Sequence, residues 1–210
     1  MSLYDNTELQ IKKLTLGPYE ANCYIVVCAQ TSESVIIDIP AEAFRILAEA
    51  GKTSVKYILI THAHGDHIDA LKEVRSQIKA PVAAHPLDAR IIGPDLSVQD
   101  GDILKFGRQV LKVLHTPGHT AGSICLLAGN HLFSGDTIFP GGPGRTSTPQ
   151  TFASIVESIK EKILVLSDDT MVYPGHGPDT ILGGEKYEFY RFSSHSHAHD
   201  LCGDVLWLSA

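Results

Sequence analysis

Four metal-capable side chains fall within six residues in His62-Ala63-His64-Gly65-Asp66-His67, and this run constrains the chain more than any other feature. Directly before it, Val55-Lys56-Tyr57-Ile58-Leu59-Ile60 is an apolar, β-branched run that reads as a buried strand. The strand ends at Thr61, and Gly65 breaks regular structure. The implied geometry is a ligand loop at the mouth of a strand. In an extended segment residues two apart point the same way, so His62 and His64 can meet one ion. Asp66 and His67 follow where the loop turns into a helix and can face a second ion. A lone histidine in a turn is ordinarily a surface residue, but solvated histidines have no reason to cluster beside an acid and a glycine.

Three more candidates lie downstream, each in a turn-rich setting after a strand. His119 follows Pro117-Gly118, Asp136 follows Ser134-Gly135, and His176 sits between Gly175 and Gly177, where the backbone can approach a crowded centre. A carboxylate at Asp136 can bridge two cations. Five His and two Asp are enough for two ions with open coordination positions, which is the catalytic rather than the closed structural arrangement.

The remaining strand patterns are Leu9–Leu14, Asn22–Val27, Ser34–Asp38, a short one at 81–84, and four more between Ile103 and Phe133. Helical patterns cover Ala41–Ala50, Ile68–Lys79 and Thr151–Lys162; the glycine- and proline-rich 139–147 reads as loop. No repeat or linker divides the 210 residues, so one α/β domain of layered sheets and helices is expected.

Composition narrows the function classes. A net charge of −7 argues against a nucleic-acid surface, and no apolar run approaches the roughly 20 residues needed to span a bilayer. Met1–Asn6 lacks a basic region followed by an apolar stretch, so no signal peptide is expected. The four cysteines form no Cys-x-x-Cys pair and read as reduced thiols of a cytoplasmic protein.

The ordered set Thr61–Asp69, His115–His119, Ser134–Asp136 and Pro174–His176 resembles the metallo-β-lactamase superfamily. Within it, the runs Gly17–Val27, Thr116–Thr120 and Gly135–Phe139 with Gly144-Arg145 look most like the glyoxalase II group, which hydrolyses hydroxyacylglutathione thioesters. The resemblance implies a four-layer αβ/βα sandwich. It assigns His62, His64 and His119 to a first metal, Asp66, His67 and His176 to a second, and Asp136 to the bridge. The implied cofactor is two Zn²⁺, with Fe or Mn as alternatives at either position. The implied chemistry is attack on an acyl thioester by a hydroxide bridging the ions, with Asp66 both a ligand and the orienter of the nucleophile.

The sequence departs from the group in three places. Asp38-Ile39-Pro40 replaces the usual Asp-Pro-Gly, Ser147 stands where an Asp often follows Gly-Arg-Thr, and only a short tail follows His176 in place of the helical glutathione-binding domain of longer members. A mononuclear iron persulfide dioxygenase using His62, His119 and Asp136, and another ester or lactone hydrolase of the same fold, are the alternatives. A purely metal-stabilised binding module would need a closed shell.

Arg145 is the candidate outside the metal set to meet an anionic substrate group, with surface ion pairing as its ordinary role. His195, His197 and His199 alternate and, if extended, would share one face able to hold another metal. The segment from about 185 to 210 is too apolar for a free tail, so it is expected to pack on the body or on a partner chain in a homodimer.

Overall fold

The segment Ala21–Cys28 is buried at every position, so both faces of that strand are covered and its sequence runs apolar without alternation. The computed structural model describes residues 9–209; the reading of Met1–Asn6 lies outside the described residues. The first half forms β1 (Leu9–Leu16), β2 (Ala21–Cys28), β3 (Glu33–Ile37), α1 (Ala43–Ala50), β4 (Ser54–Leu59), α2 (Leu71–Gln77), β5 (Val82–Ala84), α3 (Ala89–Ile92) and β6 (Leu96–Ser97). The second half forms β7 (Ile103–Phe106), β8 (Gln109–His115), β9 (Ile124–Ala128), β10 (His131–Gly135), the small pair β11 (Ile138–Phe139) and β12 (Gly142–Pro143), α4 (Pro149–Ser158), β13 (Met171–Pro174), β14 (Thr180–Ile181) and α5 (Leu182–Ser193).

Two six-stranded sheets result, ordered β1-β2-β3-β4-β5-β6 and β14-β13-β10-β9-β8-β7. Side-chain alternation sorts the apolar residues into three cores. Cys23, Ile25 and Val27 of β2 face Ile46 of α1 and Val74 of α2. Tyr24, Val26 and Cys28, the other face of the same strand, meet Leu111, Val113, Leu126 and Phe133 of the second sheet. Leu114, Cys125, Leu132 and Val172 on the far face of that sheet pack on Phe152 and Ile155 of α4 and Phe189 and Phe192 of α5. The layers are therefore helix, sheet, sheet, helix, as the resemblance implied.

Strand direction puts the candidate residues on one edge. β3, β4 and β5 are parallel, so Asp38 and the His62–His67 loop leave the first sheet at the same end. β10 and β13 are parallel, and β8 runs with them because both β8 and β10 are antiparallel to β9. The chain after β8, β10 and β13 therefore emerges on one side, where ligand sites of α/β sheets collect. The sheets are joined there by Ile124 N–H to Thr61 O (2.9 Å) and Asn22 N–H to Gly175 O (2.7 Å).

Several local expectations are corrected. The helix expected over 68–79 occupies only Leu71–Gln77, because the preceding turn is held elsewhere: Ala70 N–H bonds Pro40 O at 2.6 Å and His67 O accepts from Ile39 N–H at 2.8 Å. The helix expected to begin at Thr151 begins at Pro149, since Thr148 accepts from Thr151 N–H as a capping box and Pro at N1 loses no intrahelical bond. It continues into a π-helical turn over Ile159–Ile163. The loop expected over 139–147 contains the β11–β12 hairpin, and its end pairs with the tail through Thr146 and Gly203.

The apolar tail is seated on this body. Trp207 is 1% exposed, with its ring 5.3 Å from Phe189 and 4.9 Å from Phe192, while its backbone N–H donates to Gly141 O at 2.8 Å. The three tail histidines do not share a face. The chain turns, His195 bonds Arg191 O, and His197 stacks on Phe192 at 3.8 Å while bonding its carbonyl. Among the described residues no helix is long and apolar enough to cross a membrane.

Trp207 generates a stability prediction. Its indole nitrogen is buried without a hydrogen bond, so the side chain contributes through packing alone. Trp207→Ala is expected to cost about 3–5 kcal/mol, read by denaturant unfolding followed by circular dichroism. Trp207→Phe is expected to cost less than half of that, because it keeps a ring and removes the unsatisfied donor.

Candidate metal centre

Two groups of side chains meet at the shared edge. In the first, His62 Nε2 lies 3.1 Å from His64 Nδ1, which lies 2.9 Å from His119 Nε2. In the second, His67 Nε2 is 3.1 Å from His176 Nε2, which is 3.2 Å from an Asp66 oxygen. Asp136 stands between them. Its Oδ2 is 3.4 Å from His119 Nε2 and 3.8 Å from His176 Nε2, and its Oδ1 is 3.3 Å from His67 Nε2. All seven residues singled out in the sequence are thus brought together at one edge of the sheets.

The outer nitrogens show which atoms face inward. His119 Nδ1–H donates to Arg145 O (2.8 Å), His176 Nδ1–H to Tyr19 O (2.9 Å), and His67 Nδ1–H to Asp38 Oδ2 (2.9 Å). Thr61 spends its hydroxyl proton on Asp38 (2.7 Å), so it accepts from His62 Nδ1–H at 3.1 Å. Four imidazoles therefore aim Nε2 at the centre, and His64 aims Nδ1. Nitrogens on one tetrahedral ion at about 2.0–2.1 Å stand about 3.3 Å apart, close to the spacings here. Asp136 Oδ1, buried without a hydrogen bond, is the kind of orphan a cation satisfies. The donor set of imidazoles and carboxylates thus fits one or two divalent transition-metal ions.

Crowding explains the glycine before His176. A Cβ at Gly175 would stand 2.1 Å from Asp136 Oδ1 and 2.7 Å from His67 Cε1. Only glycine lets the last loop close onto the centre.

Burial and neighbouring charge set the protonation of the metal-free cluster. Desolvation holds His62 and His64 below the ordinary histidine value, with neighbouring imidazoles adding to it. Burial acts the same way on His67, but the Asp38 and Asp136 carboxylates outweigh it and hold His67 well above that value. Burial would raise Asp136, yet the nearby His67, His62 and His119 keep it well below the carboxylate range.

Asp38 is the residue the sequence reading passed over. In the sequence it is only the end of the Ser34–Asp38 strand and the start of the departure Asp38-Ile39-Pro40, yet its Oδ1 takes Thr61 N–H (2.8 Å) and its Oδ2 orients His62 through Thr61 and His67 directly. The available signal was an acid ending a buried strand beside the ligand strand. Asp88, which bonds Ala63 N–H, was missed as well. Arg145 is largely exposed, 3.7 Å from Asp204, and its backbone carbonyl rather than its guanidinium touches the cluster. His115 bonds Ala121 O (2.9 Å) and stacks on His85 at 3.9 Å, a structural position away from the centre.

A pH prediction follows from His67. Its raised value means the metal-free chain keeps the His67 proton at neutral pH, and an ion at Nε2 must displace it. Zn²⁺ loading at pH 7 is expected to release about one proton per chain from this residue, and apparent affinity is expected to fall as pH is lowered. Calorimetry in buffers of different ionisation enthalpy measures both.

Known proteins resemble this chain in sequence and in fold. A hydroxyacylglutathione hydrolase of Polaromonas sp. is 37% identical over 160 residues, covering 73% of this chain and 60% of the relative, so the chain spans less than two thirds of that protein. Among solved structures, ETHE1 from Myxococcus xanthus superposes with a TM-score of 0.79 at 29% identity, covering 89% of this chain and 86% of its own. TTHA1623, solved in a di-iron-bound form, gives a TM-score of 0.68 at 34% identity, covering 83% and 96%. The sequence model of the metallo-beta-lactamase superfamily matches residues 16–176, from the end of β1 to the last histidine of the cluster. With fold, edge and motif order all in agreement, the chain belongs to the metallo-β-lactamase superfamily.

Proposed function

We propose that this chain is a binuclear metal-dependent hydrolase acting on acyl thioesters of the hydroxyacylglutathione type. One observation carries the two-ion reading: two three-residue ligand groups share the Asp136 carboxylate, one of whose oxygens is otherwise unbonded. His62, His64 and His119 would hold the first ion, and Asp66, His67 and His176 the second. The di-iron relative supports a pair of ions in this fold at 34% identity, and the Polaromonas relative supports the thioester substrate. A mononuclear dioxygenase would leave the second group, with its own supports at Asp38 and Tyr19, without a role.

A divalent ion pair supplies Lewis-acid polarisation of the carbonyl and lowers the pKa of water from 15.7 toward about 7. The chain's own groups orient and organise. Asp66 is partly exposed and lies 3.2 Å from His176 Nε2, so its carboxylate would accept from an incoming water and orient it. The outward hydrogen bonds of His62, His67, His119 and His176 hold each ring in one tautomer, which removes reorganisation from the reaction. Zn²⁺ is the proposed metal, with Fe or Mn as alternatives, and the substrate is a small acyl thioester.

The test is hydrolysis of S-lactoylglutathione by Zn²⁺-loaded protein. The parent is expected to turn over, and His64→Ala and Asp136→Ala to lose about 10³-fold or more in kcat/KM together with bound metal, a loss of about 4 kcal/mol or more of transition-state stabilisation. Activity surviving metal loss would overturn the metal reading. No hydrolysis with two ions bound would overturn this substrate and favour persulfide-dependent oxygen uptake or a broader ester and lactone range.

A further inference from the structure

Asp88 is a second buried carboxylate beside the centre, and it touches no other member of the ligand set. It ends the 3₁₀ turn Pro86–Asp88 that leads into α3 and is 8% exposed. One oxygen, Oδ2, accepts both the Ala63 N–H at 3.0 Å and the Thr120 hydroxyl at 2.8 Å. Ala63 lies between His62 and His64, and Thr120 follows His119. The far side is closed by Gly122, where a Cβ would stand 2.6 Å from the Asp88 carboxyl carbon.

The two loops that bear the first ligand group are therefore tied to each other at a single atom. They come from different sheets, and the bonded residues Ala63 and Thr120 are 57 positions apart, 25 and 32 from Asp88.

 The second ligand group has separate supports, His67 on Asp38 and His176 on Tyr19 O.

We propose that Asp88 is a positioning residue for the first ion alone: it sets His62 and His64 against His119 and leaves the second ion's ligands untouched. The proposal rests on the two-ion reading above. Hydrogen bonds to a carboxylate are roughly twice as strong as neutral ones, and partners behind ligands typically change metal affinity 10–100-fold when removed.

The test separates the two ions by background. His176→Ala leaves the first group intact, and His64→Ala leaves the second. Zn²⁺ affinity is read by competition with a chromophoric chelator, without reference to activity. In the His176→Ala background, Asp88→Ala is expected to weaken Zn²⁺ about 10–100-fold. Asp88→Asn is expected to recover most of that, because its amide oxygen still accepts both bonds. In the His64→Ala background, Asp88→Ala is expected to change affinity less than about twofold, well below the loss typical of a supporting residue. Equal losses in both backgrounds, or none in the first, would overturn the proposal. Should Asp88→Ala fail to fold by circular dichroism, Thr120→Val removes one of the two bonds and is expected to give a smaller loss confined to the first background; no loss there overturns the proposal equally. A parent that binds one ion per chain would overturn the two-ion reading instead. Asp88 is then judged on that single ion, and an affinity unchanged by Asp88→Ala and by Thr120→Val would sink it too.

Discussion

Inward-facing lone pairs at the joined edge of two sheets are the constraint on which the rest of this structure depends. Four histidines donate outward from Nδ1, which leaves their Nε2 atoms, together with His64 Nδ1, crowded at about 3 Å spacings around a buried carboxylate. A buried polar atom without a partner costs free energy, and Asp136 Oδ1 is such an atom, so a cation beside it would be stabilising. The Asp38 and Asp136 carboxylates hold His67 well above the ordinary histidine value, so a cation at this centre competes with a proton for the same ring. Metal loading and stability are therefore linked through the same few atoms.

Holding such a cluster requires rigid scaffolding, and the two sheets provide it. Burial of β2 on both faces ties the helix-side core to the inter-sheet core. Cross-sheet bonds at Thr61 and Asn22 then fix the edges against each other. Asp38 works at that junction, receiving the backbone and hydroxyl of Thr61 and the ring of His67. One carboxylate thereby orients a histidine in each ligand group. Asp88 ties only the first.

The site was more legible in the sequence than the elements that support it. Ligand chemistry is local: His62-Ala63-His64-Gly65-Asp66-His67 carries its own spacing, and Gly175 announces a close approach before any fold is known. Asp38 and Asp88 carry no such signature, because an acid becomes a support only when a loop distant in sequence supplies the donors. Strands were legible because burial on both faces writes continuous apolar runs. Helix α5 was not, since Gly183-Gly184 breaks the pattern and its buried face rests on Leu182, Glu185, Phe189 and Phe192 among exposed tyrosines. The tail histidines misled because period-two spacing implies a shared face only in an extended chain, and there the chain turns.

The tail is part of the same mechanical system as the metal ligands. Trp207 anchors it between Phe189 and Phe192, its backbone N–H bonds Gly141 O, and Gly203 pairs with Thr146 through two backbone bonds. Those contacts brace the loop whose next residue, Arg145, offers the carbonyl that orients His119. A displacement of the tail would thus reach the first ligand group through three linked contacts: indole packing, a short backbone pairing and one hydrogen bond. Of these the indole packing is the strongest, because it buries a large apolar surface, whereas each hydrogen bond contributes about 1 kcal/mol net. The alignment of His119 therefore depends on an apolar anchor at the end of the described chain as well as on the polar groups around it.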